Sequence, residues 1–325
     1  MKAVYIEEFG AAENLSIRTV ADPSEPHGDE VLVRVRAAAL NRADLLQRRG
    51  LYPAPAGYPE RIPGLEFAGE IAAVGESAGD WAVGDRVFGI TAGGAQSELV
   101  KTRCGTLMRI PGDLDFVSAA SIPEAFITAF DAIDTLARIQ PAESLLIHAV
   151  GSGVGLAALQ IAKSIGATVF GTSRSADKLQ RCQRFGLDGG FETADVAAIV
   201  EANDGNGIDV VLDLVGAKMF DANLNLLARK GRLILVGLVG GRKAEFDLGI
   251  ALSKRLSIIG TVLRSRTDDE KAEATRLFAA RILPLIESGA IVPNLDRVFP
   301  VTEVAAAHRY LEADQSFGKV VLEFD

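Results

Sequence analysis

The chain is 325 residues long, with 34 basic and 43 acidic side chains, a net charge of −9 and two cysteines. The length predicts two domains, and 48% apolar with 24% charged residues excludes a chain that is disordered throughout or one long coiled coil. The acidic balance, with no basic stripe, argues against a nucleic-acid partner, and Cys104 with Cys182 cannot build a disulfide framework, which fits a reducing, cytoplasmic setting.

Residues 1–10 hold Glu7 and Glu8 and no apolar core, so no secretory signal is expected there. Up to about Ser118 the chain reads as short strands between turn residues. Strands are predicted over Lys2–Ile6 and 31–37, with Pro23, Pro26 and Gly28 between them. A helix follows over 42–49, then a Pro- and Gly-rich loop over 51–59, then strands over 70–74 and Arg86–Ile90. Many short strands with glycine turns predict a small, mostly antiparallel, barrel-like domain.

From about Ala119 the rhythm changes to strand–helix alternation. Strands are predicted over 145–149, 168–171, 210–213 and 232–236, and helices over 154–165, 176–185 and 222–227. Repeated units of this length require a parallel sheet covered by helices on both faces. The uncharged run 144–162 is long enough for a membrane span, but its glycines, His148 and Gln160 read better as strand, turn and helix. A helix over 271–286 and a strand over Lys319–Glu323 close the chain. His27, His148 and His308 are far apart, and no C-x-x-C or H-E-x-x-H spacing occurs, so no metal site is expected.

The strongest local signal is Leu145-Leu146-Ile147-His148-Ala149-Val150-Gly151-Ser152-Gly153-Val154-Gly155, where a buried strand turns into a helix. Glycines there let the backbone approach a pyrophosphate, whose charge faces the N–H groups and dipole of the helix start. In strict G-x-G-x-x-G register, Val150 and Ser152 stand at the first two glycine positions. Gly151, Ser152, Gly153, Val154 and Gly155 are the predicted nucleotide turn.

The second strand bears on the choice of nicotinamide cofactor. An acid about 20 residues past the glycines would accept from a ribose hydroxyl and repel a 2′-phosphate. Ser173, Arg174, Ser175 and Lys178 occupy that region instead, and they favour NADPH. Asp177 opens the next helix and is read as its cap. His148 is read as a packed, hydrogen-bonded histidine, and neither cysteine has an activating neighbour.

At this point six motifs in order resemble the zinc-independent quinone oxidoreductases of the medium-chain dehydrogenase/reductase superfamily. They are Ala39-Leu40-Asn41-Arg42-Ala43-Asp44-Leu45 with Gly50-Leu51-Tyr52-Pro53, Pro63-Gly64-Leu65-Glu66-Phe67-Ala68-Gly69, Pro123-Glu124-Ala125-Phe126-Ile127-Thr128-Ala129, the glycine turn, Leu263-Arg264-Ser265-Arg266, and the ending from Phe299 through Leu322. The Leu-Arg-Ser-Arg and Pro-Glu-Ala elements look closest to the tumour-suppressor-inducible subgroup.

The resemblance implies an α/β protein with a Rossmann doubly wound parallel sheet over 121–267. A GroES-like, mostly-β catalytic domain over 1–120 and 268–325 would be completed by the last residues, with the active site where the two meet. It implies a homodimer or a tetramer of such dimers. Zinc-dependent relatives carry a cysteine at the position of Asn41, a histidine at that of Leu65, and often a four-cysteine lobe that this chain lacks. Their alkoxide chemistry is therefore not expected.

The implied activity is NADPH-dependent reduction of a quinone or conjugated carbonyl by hydride transfer. Tyr52 is the candidate proton donor, or else packs the loop and shapes the pocket. Asn41 offers an amide to substrate or ribose, or caps the following helix, and Asp44 is a structural, ribose or substrate contact. Thr128, Gly237, Leu263, Arg264 and Lys319 are expected against the cofactor. Glu66 is expected to pair with an arginine. Thr193 stands where relatives often have a tyrosine against the 2′-phosphate, which would weaken the NADPH preference. Rival readings are an enone, enal or enoyl-thioester reductase, and an NADPH-binding protein without turnover.

Overall fold

The computed structural model describes residues 1–192 and 194–324. It divides into two compact units, Met1–Ile127 with Leu263–Asp325, and Thr128–Val262. The sequence-based boundaries at 120/121 and 267/268 lie a few residues from these. Leu263 and Arg264 consequently belong to the first unit and Thr128 to the second.

The strands in chain order are β1 (Lys2–Ile6), β2 (Leu15–Thr19), β3 (Glu30–Ala39), β4 (Glu66–Val74), β5 (Arg86–Ile90), β6 (Leu99–Arg103), β7 (Leu107–Arg109), β8 (Ser144–Ile147), β9 (Thr168–Thr172), β10 (Gly189–Phe191), β11 (Ile208–Asp213), β12 (Leu227–Leu235), β13 (Ser257–Gly260), β14 (Leu295–Pro300) and β15 (Lys319–Glu323).

The first unit is built on a sheet of order β14-β15-β3-β4-β5-β7, with β6 also paired to β3, and on a separate β1–β2 pair. All its ladders are antiparallel except β14–β15. In β3, Val31, Val33 and Val35 point into the core while Arg34 points out, the period-two alternation of a half-buried strand. Phe67, Val320 and Leu322 join those valines in one apolar cluster. The last residues complete this unit, because Val321 of β15 pairs with Ala39 of β3.

The second unit holds an all-parallel sheet of order β10-β9-β8-β11-β12-β13. The chain starts in the middle at β8, winds outward through β9 and β10, then returns to β11. The strand order therefore reverses between β8 and β11, the switch point where such sheets take ligands at their carboxyl ends. Every residue of β8 is buried, which explains its unbroken apolar reading. The helix Gly153–Ile165 stops at Gly166, whose φ of +91° lets its N–H close on Ala162.

Several local predictions are corrected. Ala149, read as the last residue of a strand, lies beyond β8 in a turn with φ +52°. Leu227, read as a helix end, starts β12, and the helix before it runs Ala217–Leu226. The helix predicted over 271–286 is two helices, Asp268–Arg281 and Leu283–Glu287, because Pro284 lacks the N–H that a continuous helix would need. The strands β2, β6, β7, β10, β13 and β14 had no sequence prediction. Among the described residues, no helix is long and apolar enough to cross a membrane.

Candidate active site

In the second unit, the turn after β8 delivers the chain into the helix Gly153–Ile165. Ser152 is the N-cap, and its hydroxyl accepts the Gly155 N–H at 3.1 Å. A Cβ on Gly155 would lie 2.6 Å from the Val150 carbonyl oxygen and 2.7 Å from that of Ala149, so only glycine lets the helix start so close to its turn. Val150 is fully buried where the strict motif has glycine. The room for it comes from the neighbouring strand: a Cβ on Gly171 of β9 would sit 2.6 Å from Val150 Cγ1. The departure from the motif is thus compensated across the sheet. Gly151 is buried, while Ser152, Gly153 and Val154 remain partly open at the positive end of the helix.

After β9, Ser175 caps the helix Ala176–Cys182 by accepting the Lys178 N–H at 3.3 Å, and its own N–H donates to Ser173 Oγ at 3.2 Å. The cap is therefore Ser175 and not Asp177, whose carboxylate pairs with Arg181 at 3.7 Å. Arg174 is exposed beside them. Thr128, on the helix Pro123–Phe130, is half-buried. Gly237 donates its N–H to Asp213 O at 3.2 Å, and a Cβ there would collide with the Leu214 carbonyl, so this position is open only to glycine. Thr193 lies outside the described residues.

A closed polar chain ties together the carboxyl ends of β8, β9 and β11. Asp213 accepts the N–H groups of Val215 (2.7 Å) and Gly216 (2.8 Å) and the Asn223 amide at 2.9 Å. The Asn223 carbonyl faces His148 Nε2 at 2.6 Å, and Nδ1 meets the Thr172 hydroxyl at 2.8 Å. Because Asn223 donates to Asp213, its oxygen must accept, which places the His148 proton on Nε2. Burial holds the imidazole below its ordinary pKa. His148 is a packed structural group, as its sequence position suggested.

The first unit gathers charge instead. Asp44, fully buried, accepts the N–H groups of Asn41 at 2.7 Å and Gly64 at 2.9 Å, so it fixes the helix Arg42–Arg48 to the following turn. Burial nevertheless pushes its carboxyl up to about 6. The Asn41 amide donates to Glu66 Oε1 at 2.9 Å, and its oxygen accepts from Lys319 Nζ at 2.7 Å. Lys319 also reaches Glu66 Oε1 at 2.6 Å and the Leu40 carbonyl at 2.8 Å. Glu66 therefore pairs with a lysine, not with the arginine expected. Its other oxygen accepts the Glu124 N–H at 2.8 Å.

Arg264 lies beside this cluster and is 4% exposed. It donates to Ala92 O (2.8 Å), Tyr52 O (3.2 Å) and Gln47 Oε1 (2.5 Å), and its guanidinium stands 5.0 Å from the centre of the Tyr52 ring. Tyr52 is half-buried, and burial raises its phenol above the ordinary value, with Arg264 opposing. Leu263 is buried. Arg264 and Lys319, both expected against the cofactor, make these hydrogen bonds and ion pairs with groups of their own unit.

Two family models match successive parts of the chain. An alcohol dehydrogenase GroES-like domain matches residues 27–121, and a zinc-binding dehydrogenase domain matches residues 153–280. The quinone oxidoreductase of Pseudomonas aeruginosa is 34% identical over 99% of this chain and 99% of its own length. The chain belongs to the quinone oxidoreductase family of the medium-chain dehydrogenase/reductase superfamily. It is an oxidoreductase with a Rossmann-like parallel sheet and a GroES-like unit. The crystal structure of Escherichia coli quinone oxidoreductase complexed with NADPH is similar over 99% of this chain and all of that one, with a TM-score of 0.89 and 28% identity. The CurK enoyl reductase matches over 100% and 99%, with a TM-score of 0.86 and 30% identity.

Sequence reasoning missed Gln47, Glu124, Asp213 and Asn223 as members of these networks. Glu124 carried a signal, its place in Pro-Glu-Ala, but its partner Glu66 is 58 positions away. Nothing near Asn223 marks it as the group that turns His148.

Proposed function

We propose that this protein transfers hydride from NADPH to a quinone without a metal. The observation that carries the metal-free reading is the donor set around Glu66. Asn41 and Leu65 stand where zinc relatives place cysteine and histidine, Leu65 is a buried apolar side chain, and the Glu66 carboxylate already faces the Lys319 ammonium at 2.6 Å. A zinc ion needs soft or imidazole donors that these residues do not offer. We place the chain nearest the tumour-suppressor-inducible subgroup, on Leu263-Arg264-Ser265-Arg266 and Pro123-Glu124-Ala125.

The residues of the second unit fit NADPH. Gly151, Ser152, Gly153, Val154 and Gly155 hold the pyrophosphate at the helix start. Ser173, Arg174, Ser175 and Lys178 receive the 2′-phosphate. Thr128 and Gly237 line the nicotinamide half. When bound, NADPH supplies the two electrons as hydride. The chain's own part would be to hold the acceptor against the donor carbon and keep water away. Tyr52 belongs to the first unit. Its ring is held by Arg264, and Gln47 locks Arg264 to the helix. Asn41, Asp44 and Lys319 keep the charged cluster rigid.

An enone, enal or enoyl-thioester acceptor uses the same hydride geometry, and the likeness to an enoyl reductase supports it as the second reading. The chain assembles as a homodimer or a pair of dimers in this reading, through the open edge of β13, where Ile258 is exposed and Leu248, Leu252 and Val262 stand exposed nearby in sequence. Two free cysteines fit a reduced, cytoplasmic protein.

The test is a steady-state panel of para-quinones, ortho-quinones, enones and enals with NADPH and with NADH. The expected result is NADPH consumption with quinones, a higher KM for NADH, and slower turnover of enones. Tight NADPH binding with no consumption under any acceptor would leave only the non-enzymatic reading.

A further inference from the structure

We propose that Asn206-Gly207 is a site of spontaneous covalent modification, where Asn206 converts through a succinimide to aspartate and isoaspartate. The inference concerns the second unit alone and stands whether or not the hydride-transfer reading does.

The chemistry is set by two neighbouring residues. An asparagine side chain cyclises when the backbone nitrogen of the next residue attacks its Cγ, and a glycine there has no side chain to block the approach. Asn206 is the one asparagine of this chain that glycine follows. Its surroundings leave the reaction open. The dipeptide lies between the helix Val196–Ala202 and β11, outside both, and Asn206 is exposed. The Gly207 N–H donates to no described residue, so no turn or ladder holds the attacking nitrogen. The Asn206 side chain makes one hydrogen bond among the described residues, from Nδ2 to Asn203 O at 3.1 Å. In water a bond of this kind contributes little net free energy.

Two nearby dipeptides of related chemistry supply the contrast. Asp204-Gly205 occupies the same turn, but its Gly205 N–H is bonded to Val200 O at 2.9 Å. In Asp188-Gly189 the carboxylate accepts from Lys163 Nζ and from the Val169 N–H, both at 2.7 Å. One lacks the free nitrogen and the other the free side chain. The fold also retains Gly207: a Cβ there would lie 2.8 Å from both Cα and N of Ala228 in β12, so packing keeps the position glycine.

In the step itself the Gly207 nitrogen loses its proton and bonds to Asn206 Cγ, while the Cγ–Nδ2 bond breaks and ammonia leaves. Water then opens the succinimide. Attack at the side-chain carbonyl gives aspartate; attack at the backbone carbonyl gives isoaspartate, whose main chain runs through Cβ and is one carbon longer. The added carbon falls where Asn203 Nδ2 holds the carbonyls of Asn206 at 3.3 Å and Gly207 at 3.0 Å, just before β11 pairs with β8. Isoaspartate therefore disturbs the start of β11, at the end of the parallel sheet opposite the glycine turn.

The test is prolonged incubation of the full chain in mildly alkaline buffer, folded and in urea. Peptide mass mapping locates the change, and methyl transfer from S-adenosylmethionine by an isoaspartyl methyltransferase counts the isoaspartyl groups. The folded protein should gain an acidic form altered at Asn206, at a rate that rises with hydroxide. That rate should lie within about tenfold of the rate in urea, because opening an exposed turn costs little. Asn206→Gln, whose longer side chain must close a larger and slower ring, should abolish the methyl-accepting signal. Asn206 that stays intact in the folded protein overturns the proposal, whether or not urea releases the reaction. So does a methyl-accepting signal that survives Asn206→Gln.

Discussion

The two units treat buried polarity in opposite ways. The second unit runs Asp213, Asn223, His148 and Thr172 in a chain of hydrogen bonds, beside turns where Gly155 and Gly237 leave no room for a Cβ. The first unit assembles three carboxyls, a lysine and an arginine, and the partly open Glu124 carboxyl accepts no hydrogen bond from a described residue. A network built on a neutral imidazole keeps its hydrogen bonds across a wide pH range, whereas a cluster of buried carboxyls does not.

Removing one partner from each network sharpens this contrast. The largest effect is expected for Lys319→Ala, which leaves Glu66 buried without its cation and should cost about 3–5 kcal/mol. Trp81 is the sole tryptophan and packs against the core of the first unit, so urea unfolding followed by its fluorescence reads this loss locally. Asn223→Ala should cost less, about 1–3 kcal/mol, because it strands a neutral imidazole donor and one carboxylate oxygen. Its effect should appear in the circular dichroism transition with little change in the Trp81 transition. Equal shifts of both transitions by either variant would mean that the units do not hold their polar networks separately.

The alternating strands and the glycine turn were legible because each depends on neighbours within a few residues. The strand–turn–helix from Leu145 to Ile165 is local, and so is the proline-rich loop around Tyr52. The charged cluster was not legible. It depends on β15 returning to β3, which brings Lys319 against Asn41 and Glu66 across more than two hundred residues. The partners of Arg264 were hidden for the same reason: Gln47, Tyr52 and Ala92 lie far back in the chain. Val150 looked like a defect in the motif until Gly171, on the adjacent strand, accounted for its room.

The central claim is that hydride moves here without a Lewis acid. The most direct measurement is NADPH oxidation by a para-quinone before and after exhaustive chelation, with metal content determined on the same sample. Unchanged turnover by protein lacking stoichiometric zinc is the predicted result. A rate that disappears with the chelator and returns on adding zinc would contradict it.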